Sequence, residues 1–374
     1  MVRALDRESF TPVVILKANG PLVEALHEEG VEVHIEPAIQ VVPYNQSLMS
    51  FRSLLQYIQA FVSIRRVAYW IRRTNADIVQ LNTMLMYPYL LAARRTGKPG
   101  VLAAQEHWPS DQRQLQFRLV RHFARRYASA IVAINQTTSN ILRLWDKTTV
   151  VNLIDFEGRD EHVDLQNDYD LDPSRHKIFL FLGGIQPIKG TLEIVETFLE
   201  AHLGDEVKLL FVGGILPRYN LVKGTLRKLL RILGRPTYSD RIYRLMLKHP
   251  DKVIPMPVTA QVRSLVEQSY AMVTFATKPH DLLPLIEASL LGKPSIAVDT
   301  PEAREYTDNG AGAILVPMHD RRALRAAFER LAADPELAAA LGQRGQAHVR
   351  DIFDKERNVS LLEGVYRAMV LITS

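Results

Sequence analysis

Two residues in this chain combine a charge with a local setting that suits ligand chemistry, Glu287 and Lys189. Glu287 stands in Leu283-Pro284-Leu285-Ile286-Glu287-Ala288-Ser289-Leu290-Leu291-Gly292-Lys293-Pro294, which reads as a short helix opened by Pro284, stopped by Gly292 and followed by a buried strand. A carboxylate near the positive end of a helix dipole is held ionised and can accept from two neighbouring hydroxyls at once, the pair that a ribose diol offers. An acid at this place is equally an ordinary first-turn helix residue. Lys189 lies in Ile178-Phe179-Leu180-Phe181-Leu182-Gly183-Gly184-Ile185-Gln186-Pro187-Ile188-Lys189-Gly190, where a buried strand runs into a glycine pair, a short loop, a lysine and a helix start. Backbone N–H groups at Gly183 and Gly184 plus a lysine point charge make an anion site, although a plain strand-to-helix turn with a solvated lysine uses the same residues. The spacing is not G-x-G-x-x-G, so a dinucleotide-dependent dehydrogenase is not expected.

Taken together, the two stretches resemble the donor-binding half of GT-B glycosyltransferases, most closely glycosyltransferase family 4, the glycosyl transferases group 1 family. The resemblance covers most of the chain and implies an α/β protein of GT-B fold, two Rossmann-like domains with parallel sheets facing a central cleft. In that family the loop lysine, here Lys189, contacts the donor diphosphate, and the glutamate before Ala-x-x-x-Gly-x-Pro, here Glu287, holds the ribose. Gly183, Gly184 and Leu283 complete the implied donor-binding set. The implied activity is a retaining, hexosyltransferase-like transfer from a nucleotide sugar to a glycan or lipid-linked acceptor in cell-surface polysaccharide synthesis. The donor's own phosphate assists deprotonation of the acceptor, so the resemblance requires no protein nucleophile, no metal and no cofactor beyond the donor.

The chain departs from the family pattern at three places. A family arginine just after the first glycine is replaced by Gly184, and the other family glutamate, eight positions before Glu287, is Pro279. Asp281, two residues later, either supplies the absent carboxylate or caps the helix that carries Glu287. A family histidine after the Lys98-Pro99 turn aligns with Gln105, and His107 is a nearby substitute whose role is either catalytic or incidental. These departures leave two rivals to transfer: a nucleotide-sugar-binding partner protein that has lost catalysis, and a nucleotide-sugar epimerase of the same fold.

The elements that must hold these residues follow from length and patterning. With 374 residues and 47% hydrophobic content the chain can bury two cores. The expected organisation is an acceptor domain over 1–155, a polar linker over 156–176, a donor domain over 177–354, and a last helix over 355–374 that in the resembled family crosses back to the first domain. Met1 to Leu5 looks like the end of a helix, which suggests that the first strand of the family fold lies upstream of Met1. In the second half, strands at Ile178–Leu182, Val207–Val212, Val253–Ile254, Ala271–Phe275, Ser295–Val298 and Ala313–Val316 alternate with helices, as in a parallel sheet. The segment from Gly213 to Asp251 is long for such a connection and looks like an added amphipathic helix pair.

Cysteine is absent, which excludes disulfides, zinc-thiolate sites and a cysteine nucleophile. Met1 to Phe10 has no apolar signal core, so a cytoplasmic location is expected. Residues 1–150 hold 18 Lys and Arg against 11 Asp and Glu, while the remainder holds 28 against 30, so the net +5 arises entirely in the first half. A basic patch of this kind points to an anionic partner or to solubility alone; the expected partner is a membrane surface, and nucleic acid is not expected. No acid occurs from Pro37 to Ala76, where arginines punctuate Leu54, Leu55, Tyr57, Ile58, Phe61 and Val62; packing of this helix against a sheet is expected over a membrane surface. From Gln112 to Tyr127, Leu119, Val120, Phe123 and Tyr127 share one helix side and Arg118, Arg121, His122 and Arg125 the other.

Overall fold

The computed structural model describes residues 2–43, 51–106, 115–154, 156, 162–213, 237–278 and 282–373. They fall into two compact units, Met1–Leu153 with Phe353–Ser374, and Ile154–Ile352.

The first unit carries two parallel sheets. Strands β1 (Val13–Leu16) and β2 (Glu32–Ile35) pair in one, and β3 (Val79–Leu81), β4 (Gly100–Ala104), β5 (Ala130–Ala133) and β6 (Thr148–Val150) lie side by side in the other. The two-residue period of a strand divides β4 and β5 between two cores. Leu102, Ala104, Ile131 and Ala133 point to one with Met84, Leu90 and Phe117, whereas Val101, Ala130 and Val132 point to another with Leu362, Tyr366 and Met369. The C-terminal helix Lys355–Thr373 thus covers one face of this sheet. Asn358 fixes it there, since its Oδ1 accepts from the Asn152 amide at 2.7 Å. The run expected as one helix from Met86 to Arg95 is a 3-10 turn, Met84–Tyr89, followed by a helix, Leu90–Arg95; Pro88 has no N–H to give an α-helical bond.

The second unit is built on one six-stranded sheet. Its strands β7 (Lys177–Phe181), β8 (Val207–Val212), β9 (Val253–Met256), β10 (Ala271–Val273), β11 (Ser295–Val298) and β12 (Ile314–Val316) are all parallel, in the order β12-β11-β10-β7-β8-β9. Alternation again makes two cores: Phe179, Phe181, Leu209, Phe211, Val273 and Ile296 on one face, Ile178, Leu180, Leu210 and Met272 on the other. Each such fully buried side chain contributes about 1.5–3 kcal/mol. Pro255 is tolerated in β9 because that strand is an edge.

Part of the expected linker belongs to this unit. A short helix, Leu165–Tyr169, is capped by Asp164 and buries Leu165 in the second core together with Val163 and Leu171. The Gln268 side chain donates to the Val163 carbonyl at 2.8 Å, and the Val163 amide donates to the Ser264 hydroxyl at 3.0 Å. The acids of this stretch suggested solvent, but its three apolar side chains decide its place.

Candidate functional site

In the six-stranded sheet the chain runs outward from β7 through β8 to β9, then returns to place β10 on the other side of β7. Where strand order reverses in this way, the two connections leave the sheet in opposite directions and open a crevice outside the carboxyl ends of the strands, the usual ligand site of open α/β sheets. Lys189 lies in the connection after β7, and Glu287 lies in the helix Leu283–Leu290 that follows β10. The two residues singled out by chemistry therefore flank the switch point of this sheet.

The β7 connection is a rigid loop. Pro187–Lys189 forms a 3-10 turn, and Gly190 follows with φ +65°, as the residue before the helix Thr191–Glu200. A Cβ on Gly190 would lie 1.9 Å from the Phe275 carbonyl oxygen, so the loop rests directly on the end of β10 and only glycine fits. Thr277 ties the two connections together: its amide donates to the Ile188 carbonyl at 2.9 Å and its hydroxyl to the Pro187 carbonyl at 3.0 Å. Inside the loop the Thr191 hydroxyl donates to the Gly184 carbonyl at 2.8 Å and accepts from the Gln186 amide at 3.2 Å. Tyr238 supplies a further partner, as its hydroxyl accepts from the Leu192 amide at 2.9 Å; burial pushes this phenol above its ordinary pKa.

Gly184 does a different job from the one expected. Gly184, at φ +57°, donates its amide to the Val212 carbonyl at 3.1 Å, so that N–H points into the protein and not toward a bound anion. Its neighbour in space is Gly213, where a Cβ would sit 2.8 Å from the Gly184 Cα. Gly183 is buried, and a Cβ there would lie 1.9 Å from the Phe181 ring. Gly184 and Gly213 let the β7 and β8 ends approach, Gly183 makes room for the Phe181 ring, and the positive charge of the loop comes from half-buried Lys189.

Glu287 is half-buried and is the fifth residue of its helix, just past the first turn in which it was expected. The dipole effect fades over the first turn, so it is a weaker influence on this carboxylate than the sequence suggested. Leu282 occupies the N-cap without a side-chain cap bond, and Pro284 stands in the first turn. The helix is fixed from behind by Pro335–Ile352: Gln346 donates to the Leu290 carbonyl at 2.9 Å, and a Cβ on Gly342 would lie 2.1 Å from the Gly292 oxygen. Gly292 itself has φ +69° and ends the helix as expected. Leu283 is exposed at the helix start.

His107 and Asp281 lie outside the described residues, as do Pro279 and His280. Their neighbour Glu106, passed over in the sequence, lies two residues after β4, with its carboxylate accepting from the Thr83 hydroxyl and, at 3.1 Å, from the Met84 amide. Burial outweighs these bonds and raises its pKa above the ordinary carboxylate value. Thr191, Gly213 and Thr277 were likewise passed over. Only the Gly213 position, directly after an apolar strand, carried a sequence signal for a turn.

Comparison with known proteins gives a consistent result. Residues 1–147 match the family model described as a glycosyl transferase 4-like domain, and residues 168–348 match that of the glycosyl transferases group 1. N-acetyl-alpha-D-glucosaminyl L-malate synthase of Bacillus anthracis is 25% identical over 236 residues, covering 62% of this chain and only 56% of that protein. Among solved structures, HepE of Anabaena in complex with UDP superposes with a TM-score of 0.71 at 18% identity, over 95% of this chain and 92% of that one. A glycosyltransferase of Rickettsia africae gives 0.70 at 17% identity, over 97% and 91%. Sucrose-phosphate synthase of Thermosynechococcus elongatus gives 0.64 at 19%, over 97% and 100%. At these identities the superpositions show a shared GT-B fold of two Rossmann-like domains.

Proposed function

The chain is a GT-B glycosyltransferase of the family 4 type, with a glycosyl transferase 4-like domain over residues 1–147 and a glycosyl transferases group 1 domain over 168–348, and from that premise we propose that it moves a sugar from a nucleotide-sugar donor bound at the β7–β10 switch point. The observation that carries this reading is the Thr277 link, which holds the Lys189 loop against the β10 connection that leads to Glu287. In this reading the ribose hydroxyls donate to the Glu287 carboxylate and the Lys189 ammonium meets the diphosphate. As the bond between sugar and diphosphate breaks, negative charge grows on the leaving oxygen, and a cation fixed beside it is stronger in the transition state than in the ground state. The acceptor oxygen bonds to the sugar carbon on the same face, its proton passes to a donor phosphate oxygen, and configuration is retained.

A uridine nucleotide is the first donor to test, since the similar HepE was solved with UDP and with UDP-glucose. The acceptor proposed is a glycan or lipid-linked glycan, used in cell-surface polysaccharide synthesis at an anionic membrane surface. The test is a thermal-shift screen across nucleotide sugars, followed by release of nucleoside diphosphate with and without acceptor lipid or glycan. The reading expects stabilisation by one class of nucleotide sugar and release that rises with acceptor. Stabilisation without release and with the donor unchanged would favour a donor-binding partner protein; conversion of the donor to an epimeric nucleotide sugar without net release would favour an epimerase. No stabilisation by any nucleotide sugar would contradict a donor site.

A further inference from the structure

The helices Phe51–Val62 and Ile64–Arg73 follow one another in the first unit, and they bury opposite kinds of residue. Ile64–Arg73 behaves as a surface helix should: Ile64, Val67, Ala68 and Ile71 are buried, and Arg65, Arg66, Arg72 and Arg73 face out. Phe51–Val62 is inverted. It buries the small residues Ser53 and Ala60, while Phe51, Leu54, Leu55, Ile58, Phe61 and Val62 are exposed, Phe51 at 82% and Val62 at 70%. The positions 51, 54, 55, 58 and 62 form one stripe at helical spacing. Packing against a sheet, expected from the sequence, accounts for Ala60 and part of Tyr57 but leaves this stripe in water.

A contiguous apolar face of this size marks an interaction surface, and the charge around it says with what. A groove of about 630 Å³ beside the stripe is lined by Tyr57, Ile58, Phe61, Val62, Arg65 and Arg95. The neighbouring helix Leu115–Tyr127 meets it through Phe61 and Phe123, whose ring centroids are 6.1 Å apart, and turns Leu115, Arg118 and Arg125 outward. Among the described residues no carboxylate pairs with Arg52, Arg65, Arg95, Arg118 or Arg125. The sequence offers no acid at all from residue 37 to 76. A stable protein interface would match such arginines with acids on the partner, and a second copy of this acid-free face would repel it. Lipid headgroups supply the missing negative charge and acyl chains the missing apolar contact.

We infer that the Phe51–Val62 helix lies in the interface of an anionic bilayer leaflet, with Phe51, Leu54, Ile58 and Val62 among the acyl chains and Arg52, Arg65, Arg95 and Arg118 at the phosphates. Twelve helical residues extend about 18 Å, enough to lie along a leaflet but not to cross one. No helix among the described residues is long and apolar enough to span a membrane. The inference deepens the lipid-linked acceptor proposed above by naming the element that meets the lipid. It is tested without donor or acceptor, so the two readings fail separately.

The test is sedimentation of the full chain with vesicles of phosphatidylcholine alone and of phosphatidylcholine containing phosphatidylglycerol. The chain is expected to pellet with the anionic vesicles and to be released by salt. Leu54→Gln with Ile58→Gln should lower partitioning about tenfold or more without changing the melting temperature, because both side chains are solvent-exposed. Arg65→Glu with Arg95→Glu should do the same. Wild-type protein that stays in the supernatant with anionic vesicles at low salt overturns the inference. So does unchanged pelleting of the Gln pair combined with loss of a self-association seen by sedimentation velocity, which would assign the stripe to a second copy.

Discussion

The two units set their unusual residues to opposite tasks. In the second unit, Gly184, Gly190, Gly213 and Thr277 draw three strand ends together, so that functional side chains stand on a fixed edge. In the first unit, a helix turns Phe51, Leu54, Ile58 and Val62 away from the core, leaving free energy to be recovered only by a partner. The difference teaches that rigidity and exposure mark function in different ways. A ligand edge is recognised by close backbone approach, and a docking face by apolar side chains on the wrong side of an otherwise ordinary helix.

The sharpest way to break the rigid edge is Gly190→Ala. The substitution imposes a left-handed φ and drives a methyl group into the Phe275 carbonyl, and it should cost about 3 kcal/mol or more in denaturant unfolding. An equivalent change at exposed Leu54 should cost almost nothing, and a large loss there would erase the contrast between the units. Next in size, Lys189→Ala should weaken UDP binding by about 1.5–3 kcal/mol while leaving uridine binding nearly unchanged, as measured by calorimetry. Equal losses for both ligands would remove Lys189 from the phosphate position. Thr277→Val, which loses the hydroxyl bonds to Pro187 and Ile188 but keeps the amide bond, should lower stability by about 1 kcal/mol and raise the KM for donor more than it lowers kcat.

The smallest effects are in pH, and their signs differ between the units. Glu106 has a folded pKa raised by burial, so it binds a proton more readily folded than unfolded; its contribution is present below the ordinary value of 4.5 and is lost as pH rises through the higher folded value. Glu106→Gln should therefore flatten the stability profile on the neutral side. Glu329 is pulled down to about 2 by the His202 amide and Arg325, so its contribution is present above 4.5 and is lost as pH falls toward 2. Glu329→Gln should flatten the acid side instead. Melting temperatures over a pH series for both variants check the two signs.

Much of this architecture could be read from local pattern. Apolar runs such as Ile178-Phe179-Leu180-Phe181 are legible because a parallel strand buried on both faces needs no polar side, and Pro284 and Gly292 bracket the Glu287 helix by backbone geometry alone. The connections were less legible because their partners are remote: the Thr277 hydroxyl meets the Pro187 carbonyl across 90 positions. Gly184 was misread for the same reason, since its amide is satisfied by Val212 on another strand. The stripe at 51–62 was visible as a period, but a period does not say which side faces the core; Ser53 and Ala60 decide that through packing. In Val163–Leu171, three acids interleaved with the apolar residues hid that Val163, Leu165 and Leu171 are buried.

The central claim is that Glu287 holds a ribose at the switch point of the second sheet. Calorimetry of UDP and 2′-deoxy-UDP on wild type and Glu287→Gln tests it most directly, as a double-mutant cycle on one hydrogen-bonded pair. Glu287→Gln should weaken UDP by about 1–3 kcal/mol and should weaken 2′-deoxy-UDP clearly less, because one hydroxyl partner is already gone. Equal weakening of both ligands, or unchanged affinity for UDP, would contradict the ribose role.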